Sequence, residues 1–352
     1  MYAIISIRKM LPKMGQWTLL RRGKKIAFLI ILYGCNDSIV DKNSPTGYMN
    51  NVFEVIQKNS IRRDSINFPK LKEEIFTEVD KVRTIKECHT IVKSLLKKLG
   101  DNHSLFLEKE EFKTWHTNKS KDDNSSPITF SGELLNEKIG YLRLNEFMYG
   151  DAKSIGRYAD SLQKLIKSLD KKETKGWIID LRYDAGGNCW PMLAGLGPLL
   201  EEGRLGYFID ANKQKHSYYY CNGAAGINTQ AKIEIKEPYR LINKHPPIAV
   251  LTGHGTASSG EVVVISFCGN LNTKSFGEET YGLSSSNAPF ILLDSSVIFL
   301  TSAYDADRNG KIYGRKIIPD SIVENPFDIN RNNDLVIDAA KKWIIGFKKM
   351  KN

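Results

Sequence analysis

Residues 246–269 constrain the fold more than any other segment of this chain. The segment opens with a short apolar run, residues 248–252, whose length suits a buried strand. Gly253 and Gly255 then interrupt the run, and a helical pattern starts near Ser258. Because strands that lead directly into helices are the building unit of α/β proteins, the segment predicts an α/β fold.

Ser258 lies at the predicted junction between this strand and this helix. At a helix N-terminus the first backbone N–H groups have no acceptor within the helix, and the helix dipole places a partial positive charge there. A hydroxyl in that position suits a nucleophile that attacks a carbonyl carbon beside an anion-binding site. Serine is also a favoured helix cap, so the segment alone leaves both interpretations open.

Two further segments have the same α/β character. Residues 139–144 and 176–182 are apolar runs that predict buried strands, and residues 152–170 between them predict an amphipathic helix. The second of these strands leads to Gly186 and Gly187. Paired glycines after a strand allow backbone N–H groups to approach a ligand without obstruction by side chains.

His103 follows a predicted helix that ends at Gly100, so it lies in a turn and not on an apolar helix face. Histidine has an ordinary pKa near 6.5 and can act as a general base at neutral pH. A surface histidine that caps the turn is the alternative interpretation.

The net charge of +11 is concentrated at the amino terminus. Residues 1–34 contain seven Lys and Arg residues and no acidic residue, which leaves 44 basic and 40 acidic residues in the rest of the chain. This excess of +4 gives little support to a nucleic-acid-binding surface, so no nucleic-acid partner is expected.

Residues 1–35 are typical of a secretory signal peptide. The basic segment RRGKK precedes the apolar run IAFLIILY, which is too short to cross a bilayer. Gly34 and Cys35 resemble the lipobox of bacterial lipoproteins, in which the cysteine is lipidated, although Tyr33 is unusual in such a box. We therefore expect an exported protein of the bacterial cell envelope, anchored to a membrane through Cys35. A plain signal peptide, or a start at Met14, is the alternative.

The remaining cysteines form no CxxC pair, so a zinc site is not indicated. No other metal and no cofactor are expected. Cys88 and Cys268 lie in apolar helical patterns and are predicted to be core residues. Cys189 and Cys221 could pair in an oxidising compartment, and the sequence leaves this open.

Changes in composition predict five segments after the signal peptide. Residues 36–47 are polar and are expected to form a tether, and residues 48–107 a helical amino-terminal subdomain. Residues 108–127 are charged and are expected to form a surface connector without regular structure. Residues 128–326 are predicted to form the main α/β domain, and residues 327–352 to contain a carboxyl-terminal helix.

Five short motifs resemble those of the tail-specific, or carboxyl-terminal processing, serine peptidases. They are LGDNHS, WIIDLRYDAGGN, VLTGHGTASSGE, SFGEETYGLSS and IIPDSIV, in this order along the chain. The resemblance implies the crotonase-like or ClpP-like ββα superhelix of that clan, and a serine peptidase that acts on peptide or protein substrates. The connector is too short and too charged for the PDZ domain of the bacterial processing proteases, so the chain resembles a member without that domain.

The resemblance assigns roles to residues that match the motifs. Ser258 matches the nucleophile that follows Thr-Ala in the family. The oxyanion would be bound by the backbone N–H of Ser259 and by that of Gly186 or Gly187.

The lysine that serves as the base in bacterial processing proteases is replaced here by Leu283. Leucine cannot accept a proton, and Lys274 and Lys316 do not occupy the motif position. The tricorn-type branch of the superfamily instead uses a histidine in a turn after an amino-terminal helix, and His103 matches that position. The serine that precedes the histidine in that branch is Asn102 in this chain.

The resemblance does not identify the acid that would orient this histidine. Asp101, Asp305 and Asp307 are the candidates, and a turn or capping residue is the favoured interpretation of each. His254, four residues before Ser258, is a rival base. A binding protein for apolar ligands or peptides on the same fold is the alternative function, because Leu283 removes one base of the family.

Overall fold

The computed structural model describes residues 41–117, 128–324 and 334–347. The described helices are α1 (Pro45–Asn59), α2 (Phe68–Val79), α3 (Ile85–Lys98), α4 (Lys109–Thr117), α5 (Ala152–Leu169), α6 (Cys189–Gly195), α7 (Ser259–Phe267) and α8 (Leu335–Gly346). The described strands are β1 (Leu105–Leu107), β2 (Phe130–Leu134), β3 (Ile139–Phe147), β4 (Gly176–Gly187), β5 (Gly203–Asp210), β6 (Lys215–Cys221), β7 (Ala224–Ile227), β8 (Gln230–Glu234), β9 (Ile248–Thr252), β10 (Thr273–Gly277), β11 (Ser285–Ile291), β12 (Val297–Asp307) and β13 (Ser321–Ile322).

One sheet has the strand order β13-β10-β9-β4-β3-β2. Its strands are parallel except for β2, which pairs antiparallel with β3. Alternate residues of β9 face opposite sides, so Val250 packs in the core below α5 and α7, while Ala249 and Leu251 pack against α8. A parallel sheet buried between helices is the α/β arrangement that the sequence predicts.

The second sheet has the order β1-β12-β5-β6-β7-β8, with β11 paired along the free side of β12. Strands β11 and β12 form an antiparallel hairpin around the turn at Ser295, whose φ is 68°. The first half of β12 lies between β1 and β11, and its second half lies between β5 and β11. This arrangement brings the turn before β1 close to the start of β11.

The helical region expected at residues 48–107 shares its core with this second sheet. Residues of α1, α2 and α3 form one buried cluster with Phe106 of β1 and with Ile298 and Leu300 of β12. The helices therefore dock directly onto the strand that lies between β1 and β11.

Two helices extend into segments that were expected to be irregular. Helix α4 occupies the first part of the segment expected to be an irregular connector, because Phe112 and Trp115 pack their rings against Phe299 of β12. Helix α1 begins at Pro45, inside the segment expected to be a tether, with the Ser44 side chain accepting from the Gly47 N–H.

Strand β4 is longer than predicted and ends at Gly187, so the paired glycines belong to the strand and not to a loop. Both have positive φ values, 107° for Gly186 and 106° for Gly187. The following helix α6 begins at Cys189 directly after this strand, because the Asn188 side chain caps it, and it ends at Gly195.

The predicted signal peptide with Cys35, the first part of the expected tether (residues 36–40), the end of the connector (residues 118–127) and residues 325–333 and 348–352 lie outside the described residues. Among the helices of the described segments, none has the length and apolar character needed to cross a membrane. The four described cysteines are free, including Cys189 and Cys221.

Candidate active site

The turn that carries Ser258 is held against the projecting end of β4. After β9 ends, the backbone N–H of Ala257 donates to the carbonyl of Asp184 at 2.9 Å, and the Thr256 hydroxyl donates to the carbonyl of Leu181 at 2.9 Å. Ser258 itself has φ 50° and ψ −115°, a conformation that costs energy for a residue with a side chain. A strained strand-to-helix turn of this kind exposes the hydroxyl at the start of the helix.

Glu261 stabilises this turn from within α7. Its carboxylate accepts the Ser258 N–H at 3.0 Å, and it also accepts the Thr280 hydroxyl and the Gly282 N–H. Glu261 is fully buried, and burial raises its pKa in spite of these hydrogen bonds. The same carboxylate thus connects the turn that carries Ser258 to the loop that carries Leu283.

His103 lies between two serine hydroxyls. Its Nε2 is 2.9 Å from Oγ of Ser258, and its Nδ1 is 3.0 Å from Oγ of Ser285. Burial lowers the pKa of His103 to about 4, and the carboxylate of Asp101 opposes this shift. The imidazole is therefore neutral at pH 7 and can accept a proton.

The three candidate acids do not contact the imidazole ring. Asp101 accepts the backbone N–H groups of His103 and Ser104 at 3.0 and 2.8 Å, so it caps the turn as an Asx motif would. Asp305 accepts the hydroxyl of Ser286 at 2.6 Å, and Asp307 accepts backbone N–H groups in the turn after β12. The group within hydrogen-bond distance of Nδ1 is the hydroxyl of Ser285 and not one of these carboxylates.

The two N–H groups expected for an oxyanion lie at the junction of β4 and α7. Within the described residues the backbone N–H of Ser259 has no acceptor, whereas the N–H of Gly186 donates to the Asp184 carboxylate at 3.0 Å. Gly186 is thus excluded as a donor, which leaves Gly187 as the glycine candidate. A side-chain carbon at Gly186 would lie 2.8 Å from Cβ of Ser258, so only glycine fits there.

The rival bases lie elsewhere or have other partners. Lys316 forms an ion pair with Glu279, and Lys274 lies over the ring of Phe276 at 5.4 Å from its centre. His254 is exposed on the loop before the nucleophile turn.

Three site residues were missed by the sequence analysis. The S-x-x-E pattern from Ser258 to Glu261 is a capping-box signature and could have indicated Glu261. Ser285 and Asn287 reach His103 across the second sheet, and nothing in their local sequence marks them.

The fold and this site define a serine peptidase. The chain belongs to peptidase family S41, whose family model matches residues 138–323.

The chain is 30% identical over 302 residues to a nisin-resistance protein of Lactococcus lactis subsp. lactis. This alignment covers 86% of this chain and 87% of that relative. It is 25% identical over 215 residues to a carboxyl-terminal-processing protease of Synechocystis, which covers 60% of this chain but 44% of that relative. Among solved structures, a lipoprotein from Streptococcus agalactiae matches with a TM-score of 0.68 and 25% identity, over 86% of this chain and 96% of that one. The predicted family, the α/β fold and the peptidase class are confirmed.

Proposed function

We propose that this chain hydrolyses peptide bonds through an acyl-enzyme, with Ser258 as nucleophile and His103 as general base. The observation that carries the proposal is the 2.9 Å contact between His103 Nε2 and Ser258 Oγ. This distance lies within the reach required of a general base, about 2.6–3.2 Å between heavy atoms. A binding protein would need neither the strained serine nor a neutral histidine beside it.

The reaction follows from the positions of these groups. Nε2 of His103 takes the hydroxyl proton as Oγ of Ser258 bonds to the carbonyl carbon of the substrate. The N–H groups of Ser259 and Gly187 bind the negative oxygen that develops. His103 then donates the proton to the leaving amine as the C–N bond breaks, and a water activated by the same histidine hydrolyses the ester.

The electrostatics of the site set the protonation state of the base. Burial keeps the imidazole neutral at pH 7, as a general base requires, and the same desolvation makes the imidazolium that forms less stable. The Asp101 carboxylate opposes this effect and stabilises the imidazolium, and one of its oxygens also accepts backbone N–H groups of the turn.

The substrate is inferred to be a peptide that meets the enzyme outside the cell. We propose an antibacterial peptide of the nisin type, since the relative named for nisin resistance matches most of both chains. Export through residues 1–35 and a lipid on Cys35 would place the enzyme at the membrane surface, in the bacterial cell envelope. The structural likeness to a streptococcal lipoprotein supports that location.

The proposal is tested with purified protein, nisin and a covalent serine reagent, followed by mass spectrometry. We expect nisin fragments with a defined cleavage site, labelling at Ser258, and loss of both in Ser258→Ala. Ser275→Ala is a matched control, because the Ser275 hydroxyl donates a hydrogen bond to the Asp320 carboxylate, at a distance from the site. Wild-type hydrolysis of every tested peptide by Ser258→Ala would overturn the proposal, whereas binding of peptide without product or labelling would favour the binding-protein alternative.

A further inference from the structure

We propose that Ser285 is the positioning residue of His103, in the place where an acid was expected. The proposal rests on the proposed function, in which His103 is the base. It assigns to a neutral hydroxyl the task of holding the imidazole ring and its productive tautomer.

The geometry of the ring supports this assignment. For Ser258 to give its proton to Nε2, the ring hydrogen must be on Nδ1, which is 3.0 Å from Oγ of Ser285. Ser285 is buried, at 9% exposed, so water competes little for this hydrogen bond. The ring is therefore held from both nitrogens along one line of hydrogen bonds, from Ser285 through His103 to Ser258.

Strand β11 is itself fixed at this point. The backbone N–H of Ser285 donates to the carbonyl of Leu283 at 2.8 Å. Asn287, two residues along the strand, donates from Nδ2 to the carbonyl of His103 at 2.8 Å and accepts the Thr301 hydroxyl at 3.0 Å. The strand thus holds the histidine by its backbone as well as by its ring.

The neighbouring Ser286 has a different partner. Its hydroxyl donates to the buried carboxyl group of Asp305 at 2.6 Å, at the β-bulge that separates Ser286 from Asn287. Asp305 therefore anchors the strand from the other side and does not contact the base. Two adjacent serines on β11 provide a natural pair for comparison, one bonded to the ring and one to the core.

A serine in this position has a distinct chemical consequence. A carboxylate can only accept the Nδ1 hydrogen, and its charge raises the pKa of the histidine. A hydroxyl accepts that hydrogen without adding charge, so the ring is oriented while it remains neutral into the acidic range.

The test compares Ser285→Ala, Ser285→Thr, Ser285→Asp and Ser286→Ala for kcat, KM, the pH dependence of kcat/KM and Tm. We expect Ser285→Ala to lower kcat by about 10–100-fold, the usual loss when an orienting partner is removed, with KM changed less than about twofold. Ser285→Thr should restore much of the activity.

Ser285→Asp should move the acid limb of the profile to higher pH by about one unit or more, because the added charge stabilises the imidazolium. Ser286→Ala should lower Tm and leave the pH profile in place.

An unchanged kcat in Ser285→Ala and an unchanged acid limb in Ser285→Asp would overturn the proposal, provided that Ser258→Ala and His103→Ala are inactive. Activity in those two variants would instead refute the proposed function itself. If Ser285→Ala does not fold, two other results test the proposal. They are the activity of Ser285→Thr and the position of the acid limb of the pH profile in Ser285→Asp.

Discussion

The backbone N–H of Ser258 donates to the carboxylate of Glu261 at 3.0 Å, so the turn that carries Ser258 is fixed by a buried acid three residues along the chain. We expect Glu261→Ala to lose at least about 100-fold in kcat/KM and to unfold at lower temperature, because the buried donors of Ser258, Thr280 and Gly282 lose their acceptor at about 1–3 kcal/mol each. Glu261→Gln keeps one acceptor oxygen and should lose less of both. Equal behaviour of the two variants in activity assays and thermal unfolding would contradict this role.

The pH dependence of kcat/KM should have its acid limb near pH 4. Burial lowers the pKa of His103 to about 4, and the base must be neutral, so activity is full above this value and declines as pH falls through it. Asp101→Asn removes the charge that raises this pKa and should move the limb to still lower pH. A limb near pH 6.5, the ordinary histidine value, would show that the ring is solvated in the free enzyme.

Asp305 should make the protein less stable as pH rises. Burial raises its pKa to about 8, while in the unfolded chain an aspartate titrates near 3.9. At pH values between these two pKa values, Asp305 therefore carries a proton in the folded state but not in the unfolded state. Its contribution to the free energy of unfolding is fully present below about pH 4 and is lost as the pH rises through about 8. Asp305→Asn should give a shallower fall of Tm from pH 5 to pH 8 and a higher Tm at pH 8. A slope identical to that of the wild type would refute the raised pKa.

Gly186→Ala should abolish activity, because the added carbon would lie 2.8 Å from Cβ of Ser258. Gly203→Ala is a matched control, since Gly203 has a similar φ of 112° but nothing within 4 Å of the added carbon. Both variants bear the backbone strain of a side chain at positive φ, and only the first displaces the nucleophile. Thermal unfolding and peptide hydrolysis, measured on both, separate the two effects.

The α/β core was predicted from the sequence because its signals are local. The apolar run of β9 and the serine at the start of α7 were found where the structure has them, since an uninterrupted apolar run and glycine turns are sufficient signals. The connector was misjudged because the packing of Phe112 and Trp115 on Phe299 is a tertiary effect that outweighs a polar composition.

The candidate site was only partly accessible from the sequence. His103 and Ser258 are 155 positions apart, and the resemblance to known peptidases, not any local pattern, associated them. Ser285 remained unrecognised because its role depends on how β11 and β1 flank the same strand. Periodicity cannot report a contact that is created by strand order.

The shared core of the helical region and β12 has a consequence for the order in which the chain can fold during its synthesis. The loop with His103 follows α3, and its neighbour Ser104 donates its hydroxyl to Thr301 of β12 and accepts the Thr301 N–H. The histidine therefore reaches its place only after β12 has been synthesised and has joined the sheet. While the chain is being made, it carries no assembled site that could attack itself or its neighbours.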